Sequence, residues 1–373
     1  MGFDKLLMSK KVIICCGSGG VGKTTLSAAF GVRAAELGLK VLVLTIDPAR
    51  RLANSLGLES FDESEKRIAP EKFKGEFYAG MLNVKKTFDD FITKLAPTPA
   101  AAEKVLNNHI YRQISTALNG SQEYTALEKL LQSVDSGKYD LVVLDTPPTK
   151  HAIDFLNAPI KINSLFQDSV IRWFVMPFTT LDKLSLGLMN KGTKAALKIF
   201  EKVAGSEFLT LLTEFFSSIR DWQVVLRDRT AEVHRLLTSS QTGFVLVTGF
   251  NAIHIEEARF FERSLKKGGY LLSAIIVNRA FPEWSEGEAS PDFSDPGDSE
   301  SSEISELKLK LRNYYQQLKK FFDSQQVAFN NFSCEPRQNV IFARLPDFDQ
   351  DIHDLTSLAA IAARLETSEL SKA

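Results

Sequence analysis

Short runs that are apolar at every position alternate along this chain with stretches of helical periodicity. Val12–Cys16, Val41–Ile46, Phe77–Val84, Leu141–Asp145, Phe244–Thr248, Ala274–Asn278 and Val340–Leu345 read as strands. Continuous apolar runs, rather than in–out alternation, are expected of parallel strands covered by helices on both faces. The pattern therefore predicts an α/β class: a doubly wound, mostly parallel sheet.

Two stretches break the rhythm. From about Phe155 to Ser240 no strand is predicted; instead Phe208, Leu211, Leu212, Phe215, Ile219, Trp222 and Leu226 recur at helical spacing. Upstream, Leu165, Phe166, Ile171, Trp173 to Met176 and Phe178 form an apolar, charge-poor segment. This reads as a helical insertion, residues 155–240, set between the two parts, 1–154 and 241–373, of an α/β domain. An apolar stripe of this kind is either the core of a helical subdomain or a surface for a hydrophobic partner. The second break, Pro282–Ser305, holds eight acidic residues and no Lys or Arg. It cannot bury enough apolar surface to offset its ordering entropy and reads as a mobile acidic loop. A helix from about Glu306 to Gln325 is expected after it.

Charge narrows the field. Lys and Arg total 45 against 46 Asp and Glu over 373 residues, a balance that argues against binding nucleic acid or anionic lipid by bulk charge. The three cysteines are Cys15, Cys16 and Cys334. With no CxxC and no disulfide framework, a reducing, cytoplasmic setting is expected. No stretch approaches the roughly 20 apolar residues of a membrane span, so stable membrane insertion is not expected.

The chemistry concentrates in Gly17-Ser18-Gly19-Gly20-Val21-Gly22-Lys23-Thr24-Thr25, which matches G-x-x-x-x-G-K-[ST] between an apolar strand and a helix. Such a loop turns backbone N–H groups of Gly19, Gly20, Val21, Gly22 and the residues after them toward phosphate oxygens. Lys23 neutralises phosphate charge, and the Thr24 hydroxyl is suited to Mg²⁺. Asp145 ends the apolar strand Leu141–Leu144 and is the expected carboxylate of the metal shell, acting through water. Asp47, after the strand ending at Ile46, is placed either to activate the attacking water or merely to cap a turn; the pattern leaves both open. Arg50 and Arg51 stand equally between phosphate contact and a solvated face.

In order and spacing, Gly17–Thr25, Asp47-Pro48-Ala49 and Asp145-Thr146-Pro147-Pro148-Thr149-Lys150-His151 resemble the deviant Walker A P-loop NTPases, and within them the arsenical pump-driving ATPase family, which includes the tail-anchored-protein targeting ATPases. Ala96-Pro97-Thr98-Pro99, Ile110-Tyr111 and Gly120-Ser121-Gln122-Glu123-Tyr124 look like its bacterial single-domain branch. The resemblance runs from about Lys11 to Ile361. It implies Mg-ATP hydrolysis, with Lys23, Asp47 and Asp145 in catalytic roles and Asp47 as the water-activating residue. It also implies that Asn278 reads the adenine ring, that Pro346 lies in the loop near it, and that a nucleotide-gated homodimer presents the helical insertion to a hydrophobic helical client or a membrane-protein partner.

The sequence departs from that family at three points. Its signature lysine is replaced by Ser18, so the lysine's reach across the dimer is lost. The zinc-binding CxxC of some members is absent, so no zinc is expected. Cys15 and Cys16 point to opposite faces of one strand and Cys334 is isolated, which opposes a three-thiolate metalloid site and favours small buried hydrophobes. Two alternatives to the client switch remain: a motor driving an arsenite or other anion permease, and a partitioning-type positioning ATPase.

Overall fold

The computed structural model describes residues 2–46, 51–58, 65–112, 121–147, 155–159, 202, 205–219, 222–280, 302–348, 352 and 354–367. The chain divides into two compact units. One comprises Met1–Met81, Lys138–Ala152 and Ser239–Ala373; the other comprises Leu82–Gly137 and Ile153–Thr238. The second unit thus takes in 82–137, which the sequence reading keeps with the ATPase domain.

The first unit is built on one eight-stranded sheet: β1 (Val12–Gly17), β2 (Lys40–Thr45), β3 (Lys66–Ile68), β4 (Glu76–Met81), β5 (Leu141–Asp145), β6 (Thr242–Gly249), β7 (Leu272–Ala280) and β8 (Ile341–Pro346). The order is β3-β4-β2-β5-β1-β6-β7-β8. All pairings are parallel except β3 with β4. The doubly wound, mostly parallel sheet expected from the apolar runs is present. Strands β1, β5 and β6 are buried at every position, which is why they read as unbroken apolar runs. The predicted strand Phe77–Val84 ends early. Asn83 caps a helix instead, its side chain accepting from the Lys86 N–H at 2.9 Å.

Helix α1 (Phe3–Ser9) and α2 (Lys23–Glu36) cover one face of the sheet, with Phe3 against Phe30 at 4.9 Å between ring centroids. The same core takes Leu358, Ile361 and Leu365 of the C-terminal helix Leu355–Thr367, the packing helix that its few charges imply. Farther along the chain lie Ala252–Lys267 and the long helix Ser302–Ser333. The latter corrects the acidic-loop boundary: Ser302–Ser305 are helical, and Glu303 in the first turn complements the positive end of the helix dipole. The remainder of the predicted mobile loop, 282–301, lies outside the described residues.

The second unit is helical where it is described. It includes α3 (Val84–Leu95), α4 (Ser121–Asp135), α5 (Ser206–Ile219) and α6 (Gln223–Thr238). Phe88 stacks on Tyr111, whose hydroxyl donates to Asp89 Oδ1 at 2.6 Å. Arg229 of α6 forks onto the buried Glu128 of α4 at 3.1–3.2 Å. Of the stripe noted in the sequence, Phe215, Trp222 and Leu226 are buried and Phe208, Leu211 and Leu212 half-buried. These residues are core rather than open surface. The charge-poor segment Leu165–Phe178 lies outside the described residues.

Candidate functional site

The parallel registers place the C-terminal ends of β1, β2 and β5 side by side: Cys15 is opposite Asp145, and Thr45 is opposite Asp145. In an open parallel sheet this edge is where ligands bind. The chain leaves β1 at Gly17 and enters α2 at Lys23 through the glycine loop. A Cβ on Gly17 would stand 1.8 Å from the Val247 carbonyl oxygen of β6, so no other residue fits there. Gly22 caps α2 in the left-handed region at φ 90°, and a Cβ there would meet the Asn278 amide at 2.4 Å. The first backbone N–H groups of α2 have no partner within the helix. With the positive end of its dipole they form a site for an anion.

Around this loop the polar side chains converge. Asp145, at the end of β5, is buried. Its Oδ2 accepts from Thr24 Oγ1 at 2.7 Å and from Thr45 Oγ1 at 2.9 Å. Thr146 Oγ1 donates to the Cys15 carbonyl at 2.7 Å and ties the start of the following loop to β1. Lys23 Nζ donates to the Ser18 carbonyl at 2.7 Å, folding the ammonium back over the loop. Burial lowers the pKa of Lys23 from its ordinary value, and the charge of Asp145 pulls in the other direction. An ammonium so stripped of water gains most from a polyanion that replaces its lost hydration.

Of the residues singled out in the sequence, Lys23, Thr24 and Asp145 are thus brought together. Val21 is buried, Gly19 and Gly20 form the exposed rim, and Thr25 is half-buried. Asn278, near the end of β7, donates through Nδ2 to the Val21 carbonyl at 2.8 Å, so it touches the phosphate-binding loop directly. Pro346 lies opposite Ala280, where β8 ends. Asp47 and the Pro148–His151 part of the second motif lie outside the described residues. Arg51 begins a short helix, Arg51–Ser55.

Two participants escaped the sequence reading. Thr45 closes β2 and shares the Asp145 oxygen with Thr24. Glu257, on the helix Ala252–Lys267, accepts from Ser18 Oγ at 2.5 Å. Where related loops carry a lysine that projects outward, this chain carries a small hydroxyl that is buried and tied to a carboxylate of its own unit. The departure at Ser18 therefore has a local structural function: it anchors the loop through Glu257. Cys15 and Cys16 are buried on β1, and burial pushes both thiol pKa values well up, which keeps them protonated. Cys334 is exposed.

The oxygen donors fit a hard divalent cation. A hydroxyl and a carboxylate 2.7 Å apart, backed by a second hydroxyl, are the ligand types that Mg²⁺ takes directly or through water.

The family model described as anion-transporting ATPase matches residues 10–321. Among individual proteins, the chain is 23% identical over 280 residues to a protein of Aquifex aeolicus (strain VF5) named as an arsenical pump-driving ATPase, covering 73% of this chain and 64% of that one. It is 27% identical over 300 residues to ATPase GET3B of Arabidopsis thaliana, covering 75% and 67%. It is 30% identical over 281 residues to ATPase ASNA1 homolog 2 of Paramecium tetraurelia, covering 74% and 78%. The matched region thus spans only about two thirds of the length of the first two relatives.

Proposed function

We propose, because the chain belongs to the anion-transporting ATPase family, that it hydrolyses Mg-ATP and couples the nucleotide state to binding of a hydrophobic helical client or membrane-protein partner. The observation that carries the ATPase reading is the meeting of Lys23, Thr24, Thr45 and Asp145 at the mouth of the glycine loop.

In this reading the loop N–H groups and Lys23 hold the β- and γ-phosphates. Lys23 leaves the Ser18 carbonyl for a phosphate oxygen. Thr24, and Asp145 through water, would hold Mg²⁺, which supplies positive charge to the phosphate oxygens. Thr45 keeps the Asp145 carboxylate turned toward the loop. Asp47 takes a proton from the attacking water. Asn278 and Pro346 border the base, and Asn278 transmits its position to the loop through the Val21 carbonyl. Preorganised dipoles in a site closed to water carry most of the stabilisation of developing charge.

Asp145→Asn is expected to weaken Mg²⁺ half-saturation of ATP turnover by roughly 10–100-fold while the nucleotide-free chain stays folded. The amide keeps one acceptor for the two threonines but loses the charge that a metal shell needs. A Mg²⁺ titration at fixed ATP reads this directly. An unchanged midpoint would remove Asp145 from the metal shell.

The client half of the proposal rests on the resemblance and on the charge-poor segment Leu165–Phe178, with an ATP-closed homodimer assembling the surface. The test is capture of an aggregation-prone apolar helix with ADP and with a non-hydrolysable ATP analogue. Capture with the analogue, lost with ADP and in Lys23→Ala, is the expected result. No capture in any state, from a protein that still hydrolyses ATP, would sink the client reading. It would favour the second reading, a motor for an anion permease, to which the family's description and the relative named for an arsenical pump lend weight. The protonated, buried Cys15 and Cys16 count against metalloid capture by thiolates at this site.

A further inference from the structure

The long helix Ser302–Ser333, here α7, carries an apolar stripe that its own unit does not cover. Ile304, Leu307, Leu311, Tyr314 and Phe321 are between 48% and 63% exposed, and Leu318 between them is half-buried. Their spacing is three, four, three, four and three residues. That is the a/d pattern of a coiled-coil seam, sustained over three heptads and about 26 Å of helix. The inner side of α7 is satisfied separately: Phe329 and Phe332 are buried and pack on Phe342 of β8. The seam is therefore a second face, not the edge of the core.

The charges along the seam are segregated. Glu303 and Glu306 lie at its N-terminal end, and Lys319 and Lys320 at its C-terminal end. An antiparallel copy of the same helix, centred between Arg312 and Asn313, sets Ile304 opposite Phe321, Leu307 opposite Leu318 and Leu311 opposite Tyr314. Each layer then pairs one large apolar side chain with another. The acidic end of each helix lies over the basic end of its partner, twice by symmetry. A parallel pairing instead stacks acidic end on acidic end. The lysine it would offer to Glu303, Lys308, is already engaged within its own chain. In the middle of the seam Lys310 is paired with Glu306 of its own helix at 2.6 Å, which blunts repulsion between the basic centres.

We propose that α7 is a self-association surface, on which a second copy of this chain docks as an antiparallel two-helix seam over residues 304–321. The contact goes beyond the ATP-closed dimer proposed above, because it uses a different surface and needs no nucleotide.

The test is sedimentation velocity on the full chain without nucleotide, over a concentration series. Wild type should form a dimer. Leu311→Glu buries a charge in each of the two central layers and should weaken dimerisation by at least about a hundredfold. Because Leu311 is exposed in the single chain, its circular dichroism and melting temperature should not change. Glu303→Lys with Glu306→Lys should also weaken the dimer, and adding Lys319→Glu with Lys320→Glu should restore it. That rescue is specific to the antiparallel pairing. Lys23→Ala should leave the association intact, which separates this contact from the nucleotide-gated dimer. A wild-type monomer would assign the seam to some other protein's helix and overturn the proposal. So would a dimer that survives Leu311→Glu, fails the charge rescue, or disappears with Lys23→Ala.

Discussion

Lys23→Ala is expected to raise the dissociation constant for ATP by about 10- to 150-fold, the worth of roughly 1.5–3 kcal/mol that a charged hydrogen bond carries. Turnover should fall with it, since the same ammonium faces the γ-phosphate when charge develops. The nucleotide-free chain should not lose stability in proportion. In that state Lys23 is a buried cation whose pKa is depressed, mainly by lost hydration. A lowered folded-state pKa means that the fold disfavours the protonated form. The penalty is in full force below the folded pKa and disappears as pH rises from there toward the unfolded value of 10.5. Wild type should therefore gain stability over that alkaline window, and Lys23→Ala should gain less. Removing the ammonium also frees the Ser18 carbonyl, which Lys23 now satisfies, so part of the relief is offset. Isothermal titration with ATP and chemical denaturation at several pH values separate the two effects. Unchanged ATP affinity would remove Lys23 from the phosphate site.

That prediction draws on features differing widely in how far the sequence discloses them. The glycine loop is legible because its requirements are local: a left-handed Gly22, a Gly17 with no room for a Cβ, and a lysine at the first turn of a helix. The central strands are legible because burial on both faces leaves no polar position in β1, β5 or β6. The edge strand β3 is not, because it is three residues long and two of them, Lys66 and Arg67, are exposed and charged. The helix Ser302–Ser333 is longer at both ends than its expected bounds of 306–325. Its N-terminal Ser and Glu residues look like loop composition, yet suit the first turn of a helix. Contacts between residues far apart in sequence leave no local trace. Ser18 and Glu257 are 239 positions apart, and Thr45 and Asp145 are 100 apart. Each residue alone is an ordinary polar side chain; only the strand order brings them to one edge of the sheet. The stripe Phe215, Trp222 and Leu226 shows the converse. Helical spacing identifies an apolar face but not whether the fold covers it, and here the fold does.

The largest effect on turnover is expected from Asp47→Asn. ATP affinity and the Mg²⁺ midpoint should stay within about threefold, while single-turnover hydrolysis slows by about 10²–10⁴-fold, the usual range for loss of a positioned proton acceptor. The argument starts from β2. Its last residue, Thr45, donates to the Asp145 carboxylate, and Ile46 after it is buried. Asp47 therefore stands two residues beyond a side chain already in the site, within about 7 Å of the Thr45 Cα at full extension of the chain. A carboxylate there can reach a water beside the γ-phosphate without joining the metal shell that Asp145 serves. The amide is nearly the same size and still accepts a hydrogen bond, so it can orient the water but cannot take its proton. The two aspartates are thus distinguished by which parameter moves. Asp145→Asn shifts the Mg²⁺ titration, whereas Asp47→Asn leaves that titration in place and lowers its plateau. If Asp47→Asn turns over ATP at the wild-type rate, the proton must leave by way of the phosphate itself or bulk water. Asp47 would then be a turn-capping residue, the other role that its position after a strand allows.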